Sequence, residues 1–274
     1  MKKAMAAASR FTAGGLAAIA LAGALGTLLA GCATQNQQTA SDLNLPTTQT
    51  EARRRASIRL ELASGYFEDG KTQIALDELN NVLGIDPDYA EAYNLRGLAY
   101  MRLGDVATAE ENFRRAVALN PRDGDTQNNY GWLQCQQGRY PEAEKSFQQA
   151  LASPAYGGRA RTWLAMGVCQ ARAGKMEEAE RSQVHSYELD AGNPVTGYTL
   201  SRVLYDQREY ERARFYIRRI NNSELANAES LWLGIKVENR LNDSQAMAQL
   251  GEQLRKRFPQ STQRSALDRR AFDE

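Results

Sequence analysis

The chain has 274 residues, 34 of them basic and 33 acidic, and a net charge of +1 leaves no general case for nucleic acid as partner. Apolar residues at 42% and charged residues at 24% are the balance of a soluble protein, and 7 prolines with 8% aromatics leave a composition that favours helix. Lys2, Lys3 and Arg10 lie in the first 31 residues with no acid among them, so removal of that segment leaves 31 basic against 33 acidic residues, a net charge of −2.

The N-terminus reads as an export signal over residues 1–31. Its three cations precede an apolar run from Leu16 to Gly31, which is short for a membrane span. Leu29-Ala30-Gly31-Cys32 resembles the bacterial lipobox, which implies cleavage before Cys32 and acylation of that cysteine, with a signal peptide and a coincidental cysteine as the other reading. Several acyl chains on one residue anchor stably where a single chain does not. By the sorting pattern of such lipoproteins, Ala33 after the cysteine implies the outer membrane, periplasmic face. Residues 32–50 then form the lipidated N-terminus and a Thr/Gln-rich tether too poor in apolar residues to fold.

From residue 51 to about 260 the chain repeats. Ala75, Ala109, Ala143, Ala179, Ala213 and Ala246 are separated by 34, 34, 36, 34 and 33 residues. Twelve residues before each stands another small residue: Ala63, Gly97, Gly131, Gly167, Ser201 and Gly234. Bulky apolar residues follow most of the alanines, at Leu79, Phe113, Phe147, Ile217 and Leu250, whereas unit four has Gln183; Pro87 and Pro121 close two units. The pattern resembles the tetratricopeptide repeat. It predicts an all-α, right-handed solenoid of six helix-turn-helix units, with small residues where paired helices approach closely. Unit three carries two extra residues around Pro154, Gly157 and Gly158, which suggests a hinge before unit four. Phe258 ends unit six, and residues 261–274 form a tail that extends a helix or frays.

In this architecture the residues beside the first small position, and one turn to either side of it, face the concave surface. These are Leu60, Ser64 and Phe67 in unit one, Asn94, Leu98 and Met101 in unit two, and Asn128, Trp132 and Cys135 in unit three. Units four and five supply Leu164, Val168 and Ala171, then Tyr198, Arg202 and Tyr205. Units one to four thus offer an apolar strip suited to an amphipathic helix or an extended apolar peptide. Trp132 reads first as a groove residue and second as packing against the neighbouring first helix. Asn94 and Asn128 resemble the asparagines with which chaperone-binding repeats clamp a carboxylate, but Arg102 and Arg161 are a thin cationic supply, and solvated amides are the simpler reading.

No catalytic pattern emerges. His185 has no carboxylate or cysteine at ligand or catalytic spacing, and neither a phosphate loop nor HExxH nor GxSxG is present, so no enzyme activity, metal, cofactor or small-molecule substrate is expected. Cys135 and Cys169 lie 34 residues apart on adjacent first helices. With helices packed at about 8–10 Å, two thiols are the leading expectation and a disulfide the second. A thiol oxidoreductase would need one of them reactive.

The stretches "NNYGWLQCQQGRYPEAEKSFQQAL", "YGGRARTWLAMGVCQARAGKMEEAE", "LYDQREYERARFY" and "ESLWLGIKVENRLND" resemble units three to six of the PilF/PilW pilotins, the outer-membrane lipoproteins of type IV pilus biogenesis. The likeness covers residues 50–260. It implies a non-enzymatic assembly factor that binds secretin subunits and promotes their outer-membrane localisation and multimerisation. It also implies a hydrophobic groove in the early units, at positions matched here by Leu98, Met101 and Trp132; Leu164 and Val168 extend that strip by position alone. The alternative is a periplasmic lipoprotein adaptor for cell-wall hydrolases or outer-membrane protein assembly.

Overall fold

A computed structural model describes residues 45–273, with side chains from Glu51. The export segment, the acylation at Cys32 and the tether up to residue 44 lie outside the described residues. Thirteen helices and no strand occur among the described residues. Twelve of them form six hairpins. These are α1 (Leu45–Glu68) with α2 (Thr72–Ile85), α3 (Ala90–Leu103) with α4 (Val106–Leu119), and α5 (Gly124–Gln136) with α6 (Tyr140–Ala152). They continue with α7 (Arg159–Arg172) and α8 (Met176–Leu189), α9 (Pro194–Asp206) and α10 (Tyr210–Asn221), and α11 (Ala228–Arg240) and α12 (Ser244–Arg257). Each hairpin packs on the next, and each first helix also touches the first helix of the following unit, which makes a solenoid.

The repeat of small residues is the reason the hairpins close. Ala75, Ala109, Ala143, Ala179 and Ala213 are fully buried. A Cβ on Gly97 would stand 2.8–2.9 Å from the Phe113 ring, and one on Gly131 would stand 2.9 Å from Phe147 Cε1, so each glycine is the socket for a buried phenylalanine. Ser201 keeps the same place by donating to the Ala213 carbonyl at 2.9 Å. Gln183 is fully buried where other units carry an apolar side chain. It is satisfied there, since its Nε2 donates to the Leu164 carbonyl at 3.2 Å and its Oε1 accepts from Thr199 Oγ1 at 2.8 Å. The turn inside each hairpin passes through the left-handed region at Gly70, Gly104, Gly138 and Gly174, and then at Arg208 and Asn242.

Three boundaries differ from expectation. Helix α1 begins at Leu45, so residues 45–50 belong to the repeat domain and not to the tether. Once nucleated, a helix gains one hydrogen bond per added residue, and the Glu/Ala/Arg run that follows supplies the nucleus. The tail does not simply extend α12: it forms a short separate helix, α13 (Thr262–Asp268), N-capped by Ser261, whose Oγ accepts from Arg264 N–H at 3.1 Å. Leu267 of α13 packs with Leu250 and Leu254 and covers the open end of the array.

The third concerns the link between units three and four, which is pinned where a hinge was expected. Tyr156 is buried; its ring occupies the space that a Cβ on Gly124 would need, and its hydroxyl the space that one on Gly158 would need. Its hydroxyl lies 3.0 Å from Thr162 Oγ1, and Arg159 donates to the Leu151 carbonyl at 2.7 Å. The two extra residues therefore deliver an aromatic plug.

Candidate interaction face

The candidate face is built by the first helices of the units. Leu60 and Phe67 of α1 are half-buried and pack on the cluster of Leu79, Val82 and Leu95. Leu98 bridges that cluster and the next, where Met101 joins it against Phe113 and Leu133. Trp132 packs beside Cys135, Phe147, Met166 and Cys169 while staying partly exposed. One side of the tryptophan is packing and the other faces solvent. Leu164 and Val168 of α7 are also half-buried, and Val168 lines an open cavity of about 200 Å³ with Arg172, Met176 and Arg202.

Two arginines roof the aromatics of this strip. The Arg102 guanidinium lies 3.5 Å from the Phe67 ring centroid and donates to the Phe67 carbonyl; Arg172 lies 5.1 Å from the Trp132 ring. Cation–π contact of this kind covers an aromatic face without burying it. The strip is shallower than an open apolar trough.

Asn128 departs from its expected place. It is buried, and its Oδ1 accepts from Thr162 Oγ1 at 2.9 Å, while its Nδ2 donates to Asn129 at 3.3 Å. Asn129 in turn donates to Asn94 Oδ1 at 3.1 Å. With Tyr156 at one end, the chain Tyr156–Thr162–Asn128–Asn129–Asn94 joins the first helices of units two, three and four through polar side chains. Arg161 pairs with Asp125, and Arg102 is spent on Phe67, so no carboxylate clamp forms around Asn94 and Asn128.

Cys135 and Cys169 are joined by a disulfide, which corrects the expectation of two thiols. The 8–10 Å spacing belongs to helix axes, whereas Cα atoms sit about 2.3 Å off each axis. Where α5 and α7 face one another the two Cα atoms are 5.8 Å apart, inside the range a disulfide needs. His185 is exposed, with its ring 4.8 Å from Trp163 and Nδ1 3.3 Å from Glu188 Oε2. Among the described residues no three His, Cys, Asp or Glu side chains gather as metal ligands, and no helix is long and apolar enough to cross a membrane.

Sequence reasoning placed Tyr198, Arg202 and Tyr205 on the concave face but missed what joins them there. Trp232, Lys236 and Arg240 of α11 and Phe272 of the tail line the same open cavity, of about 450 Å³. Burial pulls the Lys236 ammonium below its ordinary value, with Asp206 opposing the shift, and burial pushes the Tyr198 hydroxyl up. The signal was present in the aromatic and basic residues of "LWLGIKVENR".

Residues 64–104, 88–154 and 129–194 match the tetratricopeptide repeat family. Over 233 residues the chain is 30% identical to the type IV pilus assembly protein PilF of Pseudomonas aeruginosa PAO1, a match covering 85% of this chain and 90% of that one. The solved structure of Pseudomonas aeruginosa PilF superposes with a TM-score of 0.72 at 28% identity, over 81% of this chain and 99% of the other. That of PilW, described as a widely conserved type IV pilus biogenesis factor, gives 0.73 at 28% identity, over 77% and 97%.

Proposed function

Because this chain belongs to the family of the type IV pilus assembly protein PilF, we propose that it acts as a pilotin within pilus biogenesis: a non-enzymatic adaptor that binds secretin subunits and promotes their localisation and multimerisation in the outer membrane. Acyl chains on Cys32 anchor it to the periplasmic face of that membrane. The observation that carries the reading is the row of half-exposed apolar side chains on adjoining first helices, Leu98 and Met101 on α3, Trp132 on α5, and Leu164 and Val168 on α7. The helical repeat presents them along one face, where an apolar segment of the secretin lies. A tryptophan that is already half-buried still offers ~100 Å² to a partner, worth ~2.5 kcal/mol before the costs of association.

The test is made in cells. The gene is deleted, and heat-resistant secretin multimers and their membrane fraction are followed on gels. Multimers are expected to vanish or strand in the inner membrane. Wild-type chain restores them, whereas Cys32→Ser does not, and a chain carrying Leu98→Ser with Trp132→Ala does not, although it still folds with wild-type helical content at the growth temperature. Normal multimers in the outer membrane of the deletion strain refute the proposal and favour the cell-wall adaptor. Full rescue by the Leu98→Ser, Trp132→Ala chain removes the strip from the binding site.

A further inference from the structure

Past unit four the concave face changes character. Tyr198, Arg202 and Tyr205 of α9 face Trp232, Lys236 and Arg240 of α11 across the open cavity of about 450 Å³, outside the strip assigned to the secretin. The chain's own tail forms one side of this space. Beyond α13 the backbone turns through a positive φ at Arg270, the Phe272 ring stacks on Trp232 at 5.7 Å and 25°, and Asp273 Oδ1 accepts from Arg240 Nη2 at 2.6 Å. Arg240 Nε also donates to the Tyr205 hydroxyl at 3.3 Å, and Lys236 Nζ lies 5.5 Å from the Tyr205 ring and 6.0 Å from that of Trp232. The cleft thus has an aromatic floor and a cationic wall, and what the tail lays against them is an aromatic side chain followed by a carboxylate.

The tail is held lightly. The Asp273 side chain is 87% exposed, and the backbone of Phe272 donates only within its own turn, to Arg270. No backbone hydrogen bond ties the tail to α9 or α11 among the described residues. Arg202 lines the same rim and adds a third cation there, one that a second carboxylate could meet. Asp206 and Glu229 stand at the same rim and repel an extended polyanion, which excludes nucleic acid and favours a short peptide with one or two acids.

We propose that the cleft between α9 and α11 is a second peptide-binding site, for a partner segment that places an aromatic residue next to a carboxylate, and that the tail holds the Trp232 and Arg240 contacts as an internal stand-in which such a segment displaces. An occupant tethered in the same chain scales the apparent affinity for an outside segment by the fraction of time those contacts are open, so a tenfold effect means they are open about a tenth of the time. Removal of the tail's two contacts therefore raises that affinity without touching the cleft.

The probe is a fluorescein-labelled peptide of residues 269–274, read by anisotropy against the full chain. The variant Phe272→Ala with Asp273→Ala is expected to bind it at least tenfold more tightly than the wild type. Adding Arg240→Ala, or Arg202→Glu, should weaken that binding at least tenfold, and a peptide lacking the phenylalanine and the first acid should not bind. Equal affinity of wild type and double variant, or binding indifferent to Arg240→Ala, overturns the proposal. Should the double variant melt early, Asp273→Lys alone keeps the Phe272 stack and repels Arg240; it should also bind more tightly than wild type, and no change there is equally fatal. The Leu98→Ser, Trp132→Ala chain is expected to bind the peptide as wild type does, which keeps this site distinct from the secretin strip.

Discussion

Reduction of the Cys135–Cys169 disulfide tests the junction between units three and four. The bridge spans 34 residues, and the entropy removed from the unfolded chain by closing a loop of that length corresponds to ~3.8 kcal/mol at 25 °C. Both cysteines are almost fully buried among Phe147, Met166 and Trp132, so Cys135→Ala with Cys169→Ala isolates the bridge better than serine, which would bury a hydroxyl. With a urea dependence of ~2–3 kcal/mol per molar, the midpoint followed by circular dichroism should fall by ~1.3–1.9 M in the double variant and in reduced wild type alike. Repeat arrays are stabilised by nearest-neighbour coupling, so the loss falls on one junction and the transition should broaden as units one to three separate from four to six. Quantitative alkylation of the peptides bearing Cys135 and Cys169 in unreduced, denatured protein would refute the reasoning. So would a midpoint indifferent to reductant.

Gly131→Ala should destabilise the fold by about 1–2 kcal/mol in thermal melts, because the clash with Phe147 and the Ala143 carbonyl outweighs the gain in helix propensity. Gly65→Ala meets nothing within 4 Å on α1 and should stabilise by about 0.5–1 kcal/mol. Arg208→Gly relieves a left-handed turn residue, φ 65°, and should raise stability by about 0.5 kcal/mol; a loss would show that the Arg208 side chain matters more than its backbone. Burial opposes ionisation of the Glu110 carboxyl, but Arg139, Arg114 and Gln137 together hold its pKa below the ordinary value. A depressed carboxylate contributes stability above its unfolded pKa and loses it as pH falls through the folded one, so Arg139→Ala should destabilise at pH 7 and do little at pH 3 in urea titrations. Glu238, with its side chain 1% exposed, accepts from Arg218 Nε at 2.8 Å and has Arg214 3.7 Å away. Arg218→Met should therefore cost about 3 kcal/mol by leaving a buried carboxylate half-compensated, and the same change made with Glu238→Gln should recover most of it.

The hairpins were legible because their requirement is local and periodic: a glycine or alanine every 34 residues, twelve ahead of another, marks where two backbones meet. The Gly131–Phe147 and Gly97–Phe113 sockets follow from that alone. What stayed hidden depends on distances between neighbouring units. Asn128 has the groove register, yet the polar chain through Thr162 turns it inward, and nothing within unit three announces Thr162. The disulfide was misjudged because axis spacing stood in for Cα spacing. Tyr156 looked like part of a loose loop, since only the fold brings Gly124 within reach of its ring. The C-terminal cleft escaped because Phe272 lies beyond the repeats, where periodicity offers no register.

The 34-residue rhythm of left-handed turns means that one unit can in principle be exchanged for another by cutting and rejoining at equivalent turns, with helix phase preserved. The third boundary is the exception. Tyr156 is seated by Gly124 behind it and Thr162 ahead of it, and the Cys135–Cys169 bridge ties the same two hairpins. Units three and four are therefore tied as a pair. Duplication or loss of a single unit would leave the outer junctions intact, whereas at the central one either event would strand a cysteine and leave a tyrosine without its socket.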